Sequence, residues 1–273
     1  MQAYTMGKSK VTRPKIALSS RYSRSADELI QFAVNHGFDG VEYTIQAEKS
    51  ENLQGEYANM QVLAASDLEI RYHLQFKEIE LSHYDLTYAE KSASHIKECI
   101  DLINNLGGRY AIVHLCLGYR HALHKLSYDH ALKYLEQVVA YGNKKNVTVC
   151  LENLTFGFTC TPSAFLDLLK ATGAGATVDI GHVAASPVVK DGTVSAEEFI
   201  TTVRQYIQSA HVYDREVTEH ETNHTYHAAP GDKSVMTSRL SALLQSNCRW
   251  WLIELGNPEE ILHTTSYAKT VIK

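Results

Sequence analysis

The chain has 273 residues, a formal net charge of −5, 44% hydrophobic residues and 21% charged residues. This composition is typical of a globular domain and excludes a largely disordered chain, and the length suits one (β/α)8 barrel, which needs about 250 residues. The negative charge disfavours nucleic acid as a partner, because proteins that bind a phosphate backbone usually present a basic surface.

The predicted elements begin with a strand over residues 15–20, after a Lys-, Ser- and Thr-rich stretch, residues 1–14, that we expect to be a flexible extension. Ser25 is a typical N-cap and Gly37 a typical C-terminal stop for the first helix. The pattern then predicts strands over 39–45, 68–76 and 110–118, and helices near 51–66 and over 88–108.

The second half of the chain continues the alternation of apolar runs and helical patterns. Such an alternation predicts parallel strands joined by crossover helices, so residues 15–273 are expected to form one (β/α)8 TIM barrel. A doubly wound open sheet is disfavoured, because the turn after the first strand lacks the glycines of a phosphate-binding loop. The predicted elements are strands over 147–154, 176–183, 209–214 and 250–256, and helices over 128–146, 162–173, 195–207 and near 235–245.

Segment 215–233, after the seventh strand, is the only long irregular stretch that the pattern predicts. A loop of that length at the carboxyl end of a barrel strand is more often functional than accidental. No apolar run reaches the roughly 20 residues of a membrane-spanning helix, and the chain starts without an apolar run of the signal-peptide type. We therefore expect a cytoplasmic protein without a membrane anchor.

Acidic and histidine side chains stand at or just beyond the ends of the predicted strands. In a parallel barrel these strand ends meet at one mouth, and buried ionisable groups need compensation. One divalent cation could compensate several of them, so the sequence predicts a metal site at the mouth. The side chains are His73, His114, Glu152, Asp179, His182, His211, His227 and Glu254.

Glu152, Asp179, His211 and Glu254 form a plausible single metal site. Carboxylates that converge without a cation would repel one another and raise each other's pKa, whereas a divalent ion keeps them ionised. A carboxylate-rich set with one imidazole suits Mn²⁺, Zn²⁺, Mg²⁺ or Co²⁺, and a ligand list does not choose among these ions.

Three more histidines could face the same mouth. His73 and His114 lie on the third and fourth strands, where they would bind a second metal or a substrate oxygen, or remain hydrogen-bonded core histidines. His227 lies in the long segment, where a following Pro-Gly turn could direct its imidazole back to the site.

Candidate substrate-binding residues complete the set. His182 follows Asp179 by three residues, and Gly181 between them would let the backbone bend sharply. Glu42 ends the second strand and could reach the substrate, although an acid there could equally be structural. Arg215 could bind a substrate oxygen through its fork of donors, or be a solvated loop residue.

The ordered series GFDGVE, YHL, VHL, LEN, VDIGH, HVYD, HAAPGD and IELG, which spans most of the chain, resembles the xylose isomerase-like barrel superfamily. That superfamily includes sugar isomerases, ketose 3-epimerases, dehydratases and an apurinic endonuclease. As an ordered series the motifs are specific, although each one alone is weak.

By this resemblance, Glu152, Asp179, His211 and Glu254 match the single-metal site of the epimerases, whose two glutamates are also the acid/base pair. The resemblance further implies that His182 contacts the substrate and that Arg215 falls near a substrate-binding arginine. In the apurinic endonuclease all eight strand-end positions bind a three-zinc cluster. One further ligand of that cluster, an aspartate two residues before the loop histidine, is Thr225 here.

The leading hypothesis is a metal-dependent isomerase or epimerase of a sugar or sugar phosphate. A metal would stabilise the enediolate that forms when a proton leaves the carbon beside the carbonyl, while Glu152 and Glu254 would remove and return that proton. The alternatives are a dehydratase on the same barrel, a zinc-dependent phosphodiesterase of the apurinic endonuclease type, and a non-catalytic binding barrel. Thr225 and the net charge count against the phosphodiesterase.

The expected partner is a small-molecule sugar, and a homo-oligomer is left open. Tyr119, Trp250 and Trp251 could line a subunit interface, although packing inside the barrel wall explains the tryptophans equally well.

Overall fold

The computed structural model describes residues 13–46, 53–74, 79–218 and 225–272, so residues 1–12 of the predicted N-terminal extension lie outside the described chain. Ten strands are present in these residues. They are β1 (Lys15–Ser19), β2 (Gly40–Ile45), β3 (Glu69–Leu74), β4 (Tyr110–Val113), β5 (Thr148–Glu152), β6 (Gly175–Asp179), β7 (Ile207–Val212), β8 (Arg215–Thr218), β9 (Thr225–Ala228) and β10 (Trp250–Ile253).

The helices of the described residues alternate with these strands. They are α1 (Ala26–His36), α2 (Leu53–Ala64), α3 (Leu86–Asn105), α4 (Tyr128–Lys144), α5 (Pro162–Thr172), α6 (Ile180–Ala185), α7 (Pro187–Lys190), α8 (Ala196–Val203), α9 (Met236–Leu244) and α10 (Pro258–Ile272), with short 3₁₀ turns at Leu123–Lys125 and Gly157–Thr159. Among these helices, none combines the length and the apolar character that crossing a bilayer requires.

Eight parallel strands close into a barrel in the order β1-β10-β7-β6-β5-β4-β3-β2, and β8 and β9 form a separate antiparallel hairpin. Closure is complete because β1 pairs with β2 on one side and with β10 on the other. The predicted (β/α)8 TIM barrel is therefore confirmed.

Local sequence signals explain where the helices begin and end. Ser25 caps α1 by accepting a hydrogen bond from the Glu28 amide, and Gly37 ends the helix in the left-handed region at φ +67°. Thr161 caps α5, whose first residue is Pro162. The capping pattern fixes the lengths of these two helices in the sequence itself.

The barrel interior is built in layers by the two-residue alternation of the strands. At the bottom, the Arg71 guanidinium lies 3.7 Å from the ring centroid of Tyr110 and 4.3 Å from that of Trp250, and it donates to the Gln208 carbonyl. Two residues further along β3 the same inward face carries His73. Side chains thus fill the barrel interior below the mouth, and ionisable groups concentrate at the mouth.

The same alternation brings the strand-end residues together. Thr177 and Ser209 share a hydrogen bond of 2.7 Å inside the barrel. Asp179 lies two residues after Thr177 on β6, and His211 lies two residues after Ser209 on β7, so each points to the same side as the residue before it. Because both strands run in parallel with Asp179 paired to His211, the two side chains rise to the mouth at one level.

Three predicted elements differ in the structure. The strand predicted over 176–183 ends at Asp179, because the Asp179 carboxylate accepts the His182 amide and starts α6. The strand predicted over 110–118 ends at Val113, and three residues later Cys116 takes a positive φ of 75°. Segment 215–233, expected to be irregular, contains the β8–β9 hairpin.

Gly181 is required for a reason other than the sharp bend expected from the sequence. It lies within α6, and a Cβ added there would stand 2.1 Å from the Tyr213 ring. We expect Gly181→Ala to lower the free energy of unfolding by about 1–3 kcal/mol, the range for overpacking a filled core. Urea unfolding measures the change.

Gly55→Ala is the matched control, because Gly55 lies in α2 with no atom within 4 Å of an added Cβ. This second substitution should leave stability unchanged or raise it by up to about 1 kcal/mol. Equal unfolding curves for Gly181→Ala and the wild type would contradict the role assigned to the Tyr213 contact.

Candidate metal centre at the barrel mouth

Four of the predicted ligands converge at the mouth. The Nδ1 atom of His211 lies 3.3 Å from Glu152 Oε1, 3.3 Å from Glu254 Oε2 and 4.0 Å from Asp179 Oδ2. All four residues are buried. They come from the ends of β5, β6 and β7 and from the residue after β10, so the barrel places them around one point.

The donor atoms of this cluster fit a cation better than they fit one another. Asp179 Oδ2, His211 Nδ1 and Glu254 Oε2 are buried and have no hydrogen-bond partner in the described part of the chain. One ligand atom from each of these residues lies within 4.8 Å of the others. Since leaving three such polar atoms unpaired is costly, a divalent ion at their common centre is the simplest compensation.

Glu42 supports the cluster from below. Its carboxylate accepts a hydrogen bond from His211 Nε2 at 2.9 Å, which leaves His211 Nδ1 facing the three other ligands. Carboxylates that hold a metal-binding histidine in this way fix its tautomer and ring orientation. Glu42 is 1% exposed and does not line the cavity, so the sequence-based expectation of a substrate contact is corrected to a supporting role.

The charges of the cluster are unbalanced. Burial would raise the pKa of Glu152, but the imidazoles of His211 and His114 hold it well below its ordinary value. Burial would also raise the pKa of Glu254, but the positive charges of Arg21 and His211 hold this pKa well below its ordinary value. Asp179 takes the opposite direction, because burial, with Glu254 and Glu152 nearby, raises its pKa to about 7. A cation bound beside Asp179 would favour its ionised form.

His73 and His114 lie on the other side of Glu152. Their Nε2 atoms are 3.2 Å and 3.1 Å from Glu152 Oε2, and their ring centroids are 4.7 Å apart. Their Nδ1 atoms are buried without a hydrogen-bond partner among the described residues. The structure therefore brings both histidines to the predicted site, next to a carboxylate oxygen that does not face His211.

His182 and His227 form the outer wall. His182 Nδ1 donates to the Asn153 carbonyl at 2.9 Å, and its Nε2 lies 3.2 Å from Glu216 Oε1. Burial would lower the pKa of His182, but Asp179 and Glu216 raise it to about 10. The His227 ring is stacked on Tyr213 with centroids 3.7 Å apart. Positive charge, from a proton or a cation, is thus favoured beside Glu216.

A cavity of about 320 Å³ opens above the cluster and is bounded by most of the predicted side chains. Its size lies at the lower end of small-molecule pockets. Its walls are rich in groups that can donate to or accept from a polar ligand. The lining residues are Ser20, Arg21, Arg24, Thr44, Gln46, His73, His114, Leu117, Glu152, His182, Glu216, Thr225, His227 and Glu254.

Arg215 does not line this cavity, in contrast to the sequence-based expectation. Its side chain is 60% exposed and pairs with Asp214 at 2.9 Å. The reason is the strand alternation of β8, in which neighbouring residues point to opposite faces. Glu216 is the β8 residue that faces the cavity, and an extended reading of the R-E-V-T run would have found it.

Arg21 is the second residue that the sequence analysis missed. Its Nε donates to Glu254 Oε1 at 2.9 Å, and its guanidinium lines the cavity. It stands two residues after the end of β1, so the same strand-end rule that selected the acids and histidines applies to it. An arginine in a polar turn carries no signal of burial in the sequence, so its role at the cavity is visible only in the structure.

The two tryptophans are not surface residues. Trp250 and Trp251 are both fully buried, Trp250 among Ala17 and Leu252 inside the barrel and Trp251 in the larger core. Packing in the barrel wall, the second sequence-based interpretation, accounts for them, and they do not form a subunit interface.

Replacing Glu42 tests whether its carboxylate orients His211 for metal binding. Glu42→Gln keeps the size of the side chain but removes the negative charge that orients His211. We expect the affinity for Mn²⁺ or Zn²⁺ to fall by about 10–100-fold, the usual effect of losing such a supporting carboxylate. Calorimetric titration of the metal-free protein measures the change.

Glu69→Gln serves as the control for Glu42→Gln. Glu69 pairs with Lys15 and Arg71 at the opposite end of the barrel, so its replacement should leave metal affinity unchanged. Equal affinities for Glu42→Gln and Glu69→Gln would show that Glu42 does not support a metal ligand.

Comparison with known proteins agrees with this architecture. The solved structure of a D-tagatose 3-epimerase-like protein is similar with a TM-score of 0.72 and 18% identity, over 94% of this chain and 97% of that one. The structure of an L-ribulose 3-epimerase is similar with a TM-score of 0.72 and 14% identity, over 95% of this chain and 94% of that one. At these identities the likeness concerns the fold.

Sequence comparison adds one relative and a family. An uncharacterized protein of Methanocaldococcus jannaschii is 25% identical over 174 residues, which are 63% of this chain and 71% of that protein. The family described as xylose isomerase-like TIM barrel matches residues 30–270. The chain therefore belongs to the xylose isomerase-like TIM barrel family.

Proposed function

We propose that this protein is a metal-dependent isomerase or epimerase of a sugar or sugar phosphate. The observation that carries the proposal is the placement of Glu152 and Glu254. Both carboxylates line the cavity, and both lie 3.3 Å from the same nitrogen of His211. They stand at the ends of β5 and β10, which β6 and β7 separate in the barrel, so they approach a ligand from different sides.

This arrangement suits proton transfer at the carbon beside a carbonyl. A divalent cation held by Glu152, Asp179, His211 and Glu254 would supply electrostatic stabilisation of the negative charge that develops on the substrate oxygens. One glutamate removes the proton from one face of the substrate, and the other glutamate returns a proton to the opposite face. Return to the opposite face inverts the carbon, whereas return to the neighbouring carbon moves the carbonyl.

The cavity favours a small polar substrate. Ser20, Thr44 and Gln46 offer hydroxyl and amide groups to sugar hydroxyls, and Arg21 offers donors to a carbonyl or phosphate oxygen. The similar solved structures include proteins named as sugar 3-epimerases, which supports the same substrate class. A cytoplasmic location and a homo-oligomer stay predictions.

Two other reactions use much of the same site. A dehydratase would begin with the same proton removal and then lose water. A zinc-dependent phosphodiesterase would use the additional histidines around the cavity, which are present in the structure: His73, His114, His182 and His227. The net charge of −5 and Thr225 still favour a small sugar over nucleic acid.

Solvent exchange tests the proposal. The metal-loaded protein is incubated in D₂O with ketoses and their phosphates, and deuterium at the carbon beside the carbonyl is measured by NMR. We expect exchange with at least one of these sugars, and we expect Glu152→Gln and Glu254→Gln each to slow it by about 10²–10⁴-fold, the usual contribution of a general acid or base.

Arg215→Gln is the control for these variants, because Arg215 lies outside the cavity, and it should exchange at the wild-type rate. The metal content of every variant is measured alongside, so that loss of the ion is separated from loss of the base. A protein that nicks abasic DNA and exchanges no sugar proton would overturn the proposal in favour of the phosphodiesterase, and loss of water from the sugar would favour the dehydratase.

A further inference from the structure

Glu80 is a buried carboxyl group that the proposed chemistry does not use. It lies in the segment between β3 and α3, and only 2% of its surface is exposed. One of its oxygens accepts hydrogen bonds from the amide and the hydroxyl of Ser82, and the other accepts the Cys116 amide at 2.7 Å. Its own amide donates to the Ser92 hydroxyl of α3 at 3.0 Å. The side chain therefore joins the segment after β3 to the segment after β4.

Cys116 has a backbone conformation that its side chain disfavours. Its φ is 75°, in the left-handed region, and Asn146 is the other described residue that combines a positive φ with a side chain. Asparagine tolerates this region through its short polar side chain, whereas cysteine has no such preference. Residues of this kind persist only where the surrounding structure holds them. The hydrogen bond from the Cys116 amide to Glu80 is a contact that can do so.

Residues on both sides of Cys116 face the candidate site. His114 lies two residues earlier, and its Nε2 atom is 3.1 Å from Glu152 Oε2. Leu117 is the next residue along the chain, and it lines the cavity. Because β4 ends at Val113, no strand pairing fixes the path of this segment, and the backbone angles at Cys116 decide how it crosses the cavity wall.

The segments after β3 and β4 are also joined further from the cavity. The Ser127 amide donates to the Ser82 carbonyl at 2.6 Å, and the Tyr84 amide donates to the Lys125 carbonyl at 2.8 Å. Among the hydrogen bonds of the described residues, the one from the Cys116 amide to Glu80 is the bond that joins the two segments next to the cavity. Glu80 is thus placed to control the part of the wall that a ligand meets.

Stabilisation alone does not account for a carboxyl group at this position. Burial raises the pKa of Glu80, and the groups that lower it are the donors of Ser82 and Cys116, with no cation among them in the described residues. An apolar side chain of similar volume would avoid the cost of burying this group. What the carboxyl group adds is an acceptor for the Cys116 amide.

We propose that Glu80 is a positioning residue, which holds Cys116 in the left-handed conformation and so fixes His114 and Leu117 at the cavity. Its effect on turnover rests on the proposed function, because His114 contacts Glu152, one of the two proposed acid/base groups. Its effect on the position of His114 is independent of that function. A fixed neighbour restricts the positions of the Glu152 carboxylate, and a displacement of about 1 Å at a reacting group can slow a reaction about 100-fold.

Glu80→Gln tests the bond with almost no change in size. Two donors of Ser82 face one oxygen, so the glutamine should keep its oxygen there and turn its NH₂ group toward the Cys116 amide. Two donors then face each other, and the Cys116 amide loses its acceptor. We expect the ring-nitrogen NMR signal of His114, recorded without substrate and assigned by its loss in His114→Gln, to broaden or split. Sugar-proton exchange should slow by about 10–100-fold.

Cys116→Gly provides a specific rescue. Glycine adopts a positive φ without strain, so the double variant Glu80→Gln with Cys116→Gly should show a single His114 signal again. It should also raise the exchange rate at least about 5-fold above that of Glu80→Gln. Asn146→Gly is the matched control, because Asn146 has a positive φ but lies before β5, at the opposite end of the barrel from the cavity. Added to Glu80→Gln, it should restore neither the signal nor the rate.

An unchanged His114 signal in Glu80→Gln, or a rescue by Cys116→Gly no larger than that by Asn146→Gly, would overturn the proposal. Circular dichroism shows whether each variant folds. If Glu80→Gln alone does not fold, folding restored by Cys116→Gly and not by Asn146→Gly supports the proposal, and folding restored by neither contradicts it. The NMR signal needs no turnover, so a His114 signal that depends on Glu80 in a protein without sugar exchange would refute only the proposed function. Sugar exchange with an unchanged His114 signal would refute only the role of Glu80.

Discussion

The compensation of buried charge at the barrel mouth is the constraint on which the rest of this structure depends. Closing eight parallel strands forces their carboxyl ends around one small volume, and here three of those ends carry a carboxylate next to the imidazole of His211. Taking such groups out of water is costly unless each meets an opposite charge. Arg21 meets one oxygen of Glu254 and Glu42 meets the far side of His211, yet donor atoms in the middle stay unpaired in the described residues. A cation held between these atoms would complete the pairing.

The two-residue period of the strands decides which side chains share this deficit. Below each ligand lies an interior residue of the same parity, such as Thr177 below Asp179 and Ser209 below His211. A shift of one residue in any strand would turn its ligand into the helical layer, where hydrophobic core residues pack. Register is therefore specified twice, by the apolar outer face of each strand and by the polar groups that must meet at the mouth.

The sequence alone predicts the barrel and most residues of the cluster at its mouth, because both depend on where the strands end. Strand ends are marked by the change from apolar runs to polar residues, and closure turns eight separate ends into one site, so Glu152 and Glu254 could be paired without coordinates. The sequence-based interpretations differ from the structure where a contact depends on barrel closure or on the parity of the β8–β9 hairpin. Whether Glu42 faces the cavity or supports His211 depends on the distance between β2 and β7, which β1 and β10 separate in the barrel, and only closure of the barrel sets that distance. An irregular segment over 215–233 has no strand parity, so the sequence does not single out Glu216 as the residue that faces the cavity.

The β8–β9 hairpin is a fixed wall of the cavity, because hydrogen bonds anchor both of its strands. At its base the buried Arg239 guanidinium donates to the carbonyls of Ile180 and Asp214 and to the Asp214 carboxylate, which ties α9 to the end of β7 and the start of α6. On its far strand His227 donates to the Glu254 carbonyl, so the hairpin is anchored to a residue of the four-residue cluster. Side chains held on anchored strands keep a geometry that a free loop would lose. The cavity wall and the ligand cluster therefore form one supported unit, and a ligand that enters the cavity meets Glu216 and His227 in positions that the fold sets before it arrives.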